Sequence, residues 1–265
     1  MKVLVKVGGT LLDDPASRHR LAAQMAELAR QSELVVVHGG GKQVTRFLEE
    51  RGIASRFVHG LRVSDDVVID AVTKVIAGSV NKQLVSAIIA AGESAVGISG
   101  VDGTLTEATQ LHPDLGQVGR PAQSEGRLLN LLVNSGYVPV VACIAGDREG
   151  NIYNVNADQM AVSCALGWRA EKLLFLTDVA GVKSEDGRVF THLAPEQVRE
   201  LIERGIAHGG MQAKLEAALS ALRAGLDEAI VAPGHEKGIC QRLLAGEDLG
   251  TRVSFSPALR KDLAG

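Results

Sequence analysis

Apolar positions in this chain fall into short β-branched runs, each separated from the next by a stretch with helical spacing. Val3-Leu4-Val5-Lys6-Val7 is the first run, and it breaks at Gly8-Gly9-Thr10. Asp13-Asp14-Pro15 then opens a stretch with apolar residues at Leu21, Met25 and Leu28, which predicts a helix. Val35-Val36-Val37-His38 runs into Gly39-Gly40-Gly41-Lys42, and a helical pattern follows at once and ends near Gly52. Phe57–Val63 reads as extended, with Arg62 toward its far end. Ser64 reads as the N-cap of a helix carrying Val68, Ile69, Val72 and Ile76, and a second helix runs from Val80 to Ala91. Ala95–Gly100 is another strand, and residues 104–123 lack helical period and read as short strands and turns over a cleft.

The pattern repeats to the end. A helix over Gly126–Ser135 leads to a strand over Tyr137–Cys143, and Ile152–Asn156 leads into Asp158 and a helix ending near Leu166. Leu173–Asp178 is a strand, Lys183–Phe190 a hairpin around Asp186-Gly187, and Pro195 starts a helix that stops at Gly205. Gly209-Gly210 opens a helix over Met211–Ala224. The strand Glu228–Ala232, a short helix Ile239–Ala245 and a strand Thr251–Phe255 follow, and the last ten residues read as a loose tail. Such alternation predicts an α/β fold: a three-layer α/β/α sandwich on a largely parallel sheet, in two lobes, 1–167 and 168–265, meeting at Gly167.

Composition narrows the class. Aromatic residues make up only 3 % of the chain, so Ala, Val, Leu and Gly must build the core, as suits a sheet buried on both faces. The net charge of −3, with basic residues scattered, argues against a nucleic-acid partner. No stretch approaches the roughly 18 apolar residues of a membrane span. A strand beginning by residue 3 leaves no room for a signal peptide, and Cys143, Cys164 and Cys240 read as separate reduced thiols, so a cytoplasmic location is expected.

Two strands that end in glycines suggest one site for anionic groups. A strand that stops in glycines and opens a helix presents bare N–H groups and the positive end of the helix dipole, and glycine lets an anion approach closely. Walker A and G-x-G-x-x-G patterns are absent, which disfavours a dinucleotide oxidoreductase. His38-Gly39-Gly40-Gly41 is like the oxyanion-hole segment of lipases, but no G-x-S-x-G elbow accompanies it. No motif points to a resident metal. The lone charges left over are Lys6, Arg62, Asp158, Asp178 and Lys214. Each has a plain alternative: a surface lysine at Lys214, an ion pair of Arg62 with Asp65 or Asp66, an N-cap at Asp158. His38 reads as a satisfied core histidine.

In order along the chain, Val5-Lys6-Val7-Gly8-Gly9, Val36-Val37-His38-Gly39-Gly40-Gly41, Gly60-Leu61-Arg62-Val63, Asn154-Val155-Asn156-Ala157-Asp158, Leu176-Thr177-Asp178-Val179 and Gly209-Gly210-Met211 with Lys214 resemble the amino acid kinases. The match is to the branch acting on N-acetyl-L-glutamate in arginine biosynthesis. The resemblance covers residues 2 to about 255. It departs at His59, where the family usually has asparagine, and at Val101, where it usually has lysine.

The resemblance implies phosphoryl transfer from ATP, with Mg2+ held mainly by the phosphates, to the side-chain carboxylate of N-acetyl-L-glutamate. It implies Lys6 and Lys214 beside the transferring phosphoryl, with Asp158 holding both. Gly40, Gly41, Arg62 and Asn154 fall to the amino-acid substrate, and Arg62 pairs with its α-carboxylate. Gly8, Gly9, Thr177, Asp178, Lys183, Gly209, Gly210 and Met211 fall to the phosphoryl and nucleotide side. The first lobe would hold the amino acid and the dimer contact, the second the nucleotide. Rival readings are a kinase for carrier-linked aminoadipate or glutamate or for N-succinylglutamate, and a non-catalytic nucleotide sensor. Arginine-inhibited family members carry an extra helix before the first strand that links dimers into a hexamer. With the first strand starting at Lys2 or Val3, a homodimer insensitive to arginine is expected. Its contact would be the apolar helix bearing Val67, Val68, Ile69, Val72, Val75 and Ile76.

Overall fold

A computed structural model describes residues 1–255; the expected C-terminal tail lies outside the described residues. The chain begins β1 (Lys2–Val7), α1 (Pro15–Ala29), β2 (Glu33–His38) and α2 (Gly41–Glu49). Next come a small hairpin, β3 (Phe57–Val58) and β4 (Leu61–Arg62), and a long helical run. That run is α3 (Asp66–Val72), a π-helical stretch over Thr73–Val80, and α4 (Asn81–Ala90). β5 (Ala95–Ser99), β6 (Ala108–Gln110), β7 (Val118–Pro121), α5 (Gly126–Asn134), β8 (Val138–Ala142), β9 (Ile144–Gly146) and β10 (Ile152–Val155) complete the first part. The rest is α6 (Ala157–Trp168), β11 (Lys172–Thr177), β12 (His192–Leu193), α7 (Pro195–Glu203), α8 (Gly209–Arg223), β13 (Glu228–Pro233), α9 (Ile239–Leu244) and β14 (Thr251–Val253).

One eight-stranded sheet carries the molecule, in the order β12-β14-β13-β11-β1-β2-β8-β5. Every neighbouring pair is parallel except β13 with β14. Val3–Val5, Val35–Val37 and Leu173–Leu176 are fully or almost fully buried, as strands covered on both faces must be. α1 packs on α4 and α9 in one outer layer, and α6 packs on α5 and α8 in the other. The expected sandwich is therefore observed. A four-stranded sheet, β6-β7-β10-β9, covers the C-terminal end of the first half, where residues 104–123 were expected to roof a cleft. Gly167, the expected lobe boundary, lies inside α6, whose side packs against both β1 and β11 of the continuous sheet.

Local details differ from the sequence reading. Phe57–Val63 is a hairpin, not one extended stretch: His59 and Gly60 have φ of 48° and 78°, and Phe57 pairs with Arg62. Left-handed backbone favours Asn and admits His, so His59 can hold this turn. The cap of α3 is Asp65, whose carboxylate accepts from Val68 N at 2.9 Å; the Ser64 hydroxyl instead donates to Arg62 O. The two helices expected over 66–91 are one continuous run, widened in its middle by π-type turns. α6 is capped by Asn156, so Asp158 is released from the capping role. β9 and β12 were not expected.

His38 is fully buried and satisfied. Its Nδ1 lies 2.9 Å from Gly39 O and its Nε2 lies 3.0 Å from Asn81 Nδ2. Burial is the main reason that its pKa falls from 6.5 to about 4. Between those two values the unfolded chain binds a proton that the folded chain rejects. Stability from this residue is thus complete above about pH 6.5 and falls as pH drops toward 4, by on the order of 3 kcal/mol. We predict that His38→Asn flattens the acid limb of stability by about that amount, measured by urea denaturation at pH 7, 5.5 and 4. Parallel limbs in the two proteins would contradict it.

Candidate active site

The register of the sheet brings the two glycine turns together. Lys6 pairs with Val37 and Val7 with His38, so β1 and β2 end side by side. A Cβ on Gly9 would stand 3.4 Å from Gly40 N and 3.5 Å from Gly41 N, a spacing that keeps the turns within reach of one small anion. Gln43 Nε2 donates to Gly9 O at 3.1 Å and ties α2 to the first turn. Gly8 N donates to Leu176 O at 2.9 Å, which ties that turn to β11 as well. The first N–H groups of α2 have no intrahelical acceptor and are available to a ligand.

Beside these turns lies a buried ionic bridge. Lys6 Nζ is 2.7 Å from Asp158 Oδ1, and Lys214 Nζ is 3.4 Å from Asp158 Oδ2. Each carboxylate oxygen takes one ammonium. The side chains of Lys6 and Asp158 are each 7 % exposed and that of Lys214 is 14 %, which rejects the surface-lysine reading of Lys214. Burial acts to raise the Asp158 pKa, but the charge of Lys6, then that of Lys214, outweighs it and holds the carboxyl below the usual range. Burial, aided by the Lys6 charge, lowers the pKa of Lys214. Two cations held by one anion leave a net positive charge at the ends of the glycine turns.

Arg62 forms the other wall. Its Nη2 donates to Gly41 O at 2.9 Å and to Thr45 Oγ1 at 2.7 Å, its Nη1 donates to Ser55 Oγ, and its Cζ lies 4.7 Å from the Phe57 ring centre. The alternative ion pairs do not form: Asp65 caps α3, and Asp66 accepts from Gln117 Nε2. Burial lowers the Arg62 pKa, but a guanidinium stays charged at neutral pH. Asn154 Nδ2 donates to Ser64 Oγ at 3.1 Å. A cavity of about 170 Å³ is lined by Gly40, Gly41, Arg62, Asn154, Asn156 and Cys143. Cys143 is buried and inert, its thiol pushed up to about 12 by desolvation. A larger cavity, about 380 Å³, lies between α6, α8 and the turn after β7, and it includes neither the glycine turns nor the two lysines. The smaller cavity takes in the second glycine turn, Arg62 and Asn154, while Lys6, Lys214 and the first glycine turn stand outside its lining.

Other expected residues sit toward β11 and α8. Thr177 is buried, and its hydroxyl donates to Asp178 Oδ1 at 3.2 Å; the Asp178 charge reaches Lys214. Gly209 and Gly210 begin α8 with open space where a Cβ would stand, and Gly210 O accepts from Lys214 at 3.3 Å. Met211 packs on the core. Lys183 pairs across its hairpin with Val189 and makes no ion pair among the described residues, so it is not joined to the bridge. Thr45, Ser55, Phe57, Ser64 and Asn156 line or brace the site and were not expected. Ser64 and Asn156 alone had a legible signal, a helix-capping residue type just before an apolar stretch, and only Asn156 proves to be the cap. Among the described residues no group of three His, Cys, Asp or Glu could hold a metal, and no described helix is long and apolar enough to cross a membrane.

Comparison with known proteins agrees with this geometry. The model of the Amino acid kinase family matches residues 1–232. The chain is 58 % identical over 254 residues to an acetylglutamate kinase of Solibacter usitatus, covering 96 % of this chain and 99 % of that one. It is 40 % identical over 240 residues to the acetylglutamate kinase of Roseobacter denitrificans, covering 90 % and 83 %. The fold is similar to that of Giardia carbamate kinase, with a TM-score of 0.73 at 15 % identity over 96 % of this chain and 99 % of that one. The parallel sheet, the paired glycine turns and the match over most of its length make this chain a member of the amino acid kinase family.

Proposed function

We infer that the chain transfers the γ-phosphoryl group of ATP to the side-chain carboxylate of N-acetyl-L-glutamate, giving N-acetyl-L-glutamyl 5-phosphate for arginine biosynthesis. The observation that carries the reading is the Lys6–Asp158–Lys214 bridge set beside two glycine turns and a buried arginine. Identity with acetylglutamate kinases supports the substrate over the carrier-linked and N-succinyl alternatives. The lysines argue against a mere nucleotide sensor.

The chemistry asks little of acids and bases. A glutamate side chain, with a pKa of about 4.3, is already ionised at neutral pH and needs no base. What opposes reaction is repulsion between a carboxylate and a polyphosphate. In this reading, Lys6 and Lys214 neutralise charge on the transferring phosphoryl, and Asp158 holds both ammoniums at fixed positions. The N–H groups of Gly9, Gly40 and Gly41 donate to phosphoryl and substrate oxygens, while that of Gly8, expected to do the same, is given to Leu176 O and fixes the first turn instead. Arg62 takes the α-carboxylate with its planar fork, and Asn154 the remaining polar groups. Thr177, Asp178, Gly209, Gly210 and Met211 face the nucleotide, with the exposed Lys183 on its outer side. Mg2+ enters with ATP, held mainly by the phosphates, since both oxygens of Asp158 are committed to lysines.

We also propose a cytoplasmic homodimer. Five of the six apolar residues on the 66–76 helix are buried within the chain, leaving only Val67, 55 % exposed, for a partner. The better support is β5, an edge strand of the main sheet, with Ile89 on the adjoining α4 and Leu131 on α5 exposed.

A hydroxamate assay with ATP and a panel of N-acetyl-L-glutamate, N-succinylglutamate, free glutamate and aminoadipate tests the substrate. Turnover of N-acetyl-L-glutamate should exceed that of the others, and a preference for any other member would overturn the reading. We predict that Lys6→Ala and Lys214→Ala each lower kcat by about 10²–10³ with little change in nucleotide KM. Near-normal turnover in either variant would remove that lysine from the mechanism. Arg62→Lys should raise KM for the acyl amino acid about tenfold and leave ATP binding unchanged, because charge survives but the fork does not. Weakened nucleotide binding with unaltered amino-acid binding would place Arg62 on the wrong side of the site.

A further inference from the structure

His38 ends β2 immediately before the glycine turn, and its partners fix its tautomer. Asn81 Nδ2 lies 2.9 Å from Val140 O and 3.0 Å from His38 Nε2, while Asn81 Oδ1 receives Lys82 Nζ at 3.1 Å. The nitrogen facing a carbonyl must be the amide NH2, so it also donates to Nε2, which must be the bare ring nitrogen. Nδ1 therefore carries the proton and donates it to Gly39 O at 2.9 Å. The sequence makes room for this arrangement: a Cβ on Gly97 of β5 would collide with the Asn81 amide. His38 and Asn81 are both fully buried, with no solvent to substitute for either partner.

The Gly39–Gly40 peptide is trans, as is every described peptide bond, so its C=O and N–H point in opposite directions. Fixing the carbonyl fixes the N–H. Nothing in the local backbone does so otherwise, because a glycine on each side lets the peptide rotate between both orientations at little steric cost. A rotated peptide would turn a carbonyl, not an N–H, toward an anion.

We propose that His38 is a positioning residue: as the Nδ1–H tautomer selected by Asn81, it holds the Gly39 carbonyl in the core and so aims the Gly40 N–H at the substrate anion. The consequence for catalysis rests on the function inferred above; the tautomer and the peptide orientation do not. The low pKa of His38, about 4, keeps this neutral form populated across the working range.

An asparagine amide nitrogen occupies nearly the position of Nδ1, and a glutamine amide that of Nε2. His38→Asn should keep kcat/KM for N-acetyl-L-glutamate within about threefold of the parent, whereas His38→Gln and His38→Leu should lose about 10–100-fold with unchanged ATP affinity. Thermal melts check that the variants are folded; if the leucine variant is not, the Asn–Gln comparison decides. In parallel, 15N NMR of the unmodified protein should show His38 protonated at Nδ1 alone, and the Gly40 amide resonance should move in the glutamine variant. Failure of the unmodified enzyme to use N-acetyl-L-glutamate would sink the inferred function, while the ring and Gly40 spectra still judge the positioning. An Nε2–H tautomer, or a glutamine variant as active as the asparagine one with its Gly40 amide unmoved, overturns the proposal.

Discussion

A single buried carboxylate holding two ammonium groups is the constraint on which the site depends. Lys6 stands on the strand at the middle of the sheet, Lys214 on a helix more than 200 residues later, and Asp158 on the first turn of a third element. An unpaired lysine in such surroundings would favour its neutral form, and an unpaired Asp158 would favour protonation. Together they stay charged, with one positive charge in excess. That excess sits where phosphoryl charge would develop. The bridge is also a fold restraint, since it pins β1, α6 and α8 at one point.

Glycine turns supply what the lysines cannot, directional N–H donors close to the substrate. Their weakness is freedom of rotation, and the molecule limits it from outside the turns. Gln43 holds Gly9, Leu176 holds Gly8, and Arg62 holds Gly41 through its carbonyl. Thr45 braces both Arg62 and Gly41, so the wall that would receive the α-carboxylate and the turn that would receive the side chain are one hydrogen-bonded unit. His38 performs the same service for Gly39. Preorganisation of this kind matters most where donors must already face the charge when it forms.

Much of this was legible in the chain. Buried parallel strands read as uninterrupted β-branched runs, and glycine at their ends is hard to explain by packing, so the sheet and both turns followed directly. What was not legible depended on distances along the chain or on single residues. Lys214 looks like any helical surface lysine until its partner Asp158, 56 residues away, is placed beside it. Ser64 and Asp65 are both capping residues, as are Asn156 and Asp158, and spacing alone cannot choose between neighbours; the choice at 156 is what freed Asp158 for the bridge. A π-helical stretch holds more residues per turn and so breaks the 3.6-residue phase of the apolar positions, and the continuous run over 66–90 read as two ordinary helices. Strands of two or three residues, such as β9 and β12, are too short to show a period. The hairpin at His59 needed backbone angles to be seen.

If Asp158 acts by positioning two cations on a developing charge, its loss should be felt by the transition state and hardly by the substrates. Isothermal titration of Asp158→Asn with three ligand sets separates these: a non-hydrolysable ATP analogue, N-acetyl-L-glutamate, and ADP with aluminium fluoride and N-acetyl-L-glutamate as a mimic of the transferring phosphoryl. The account predicts that the two ground-state affinities stay within about threefold of the parent, while the mimic weakens by about 10²-fold. Equal weakening of all three, or a mimic bound as tightly as by the parent, would contradict it.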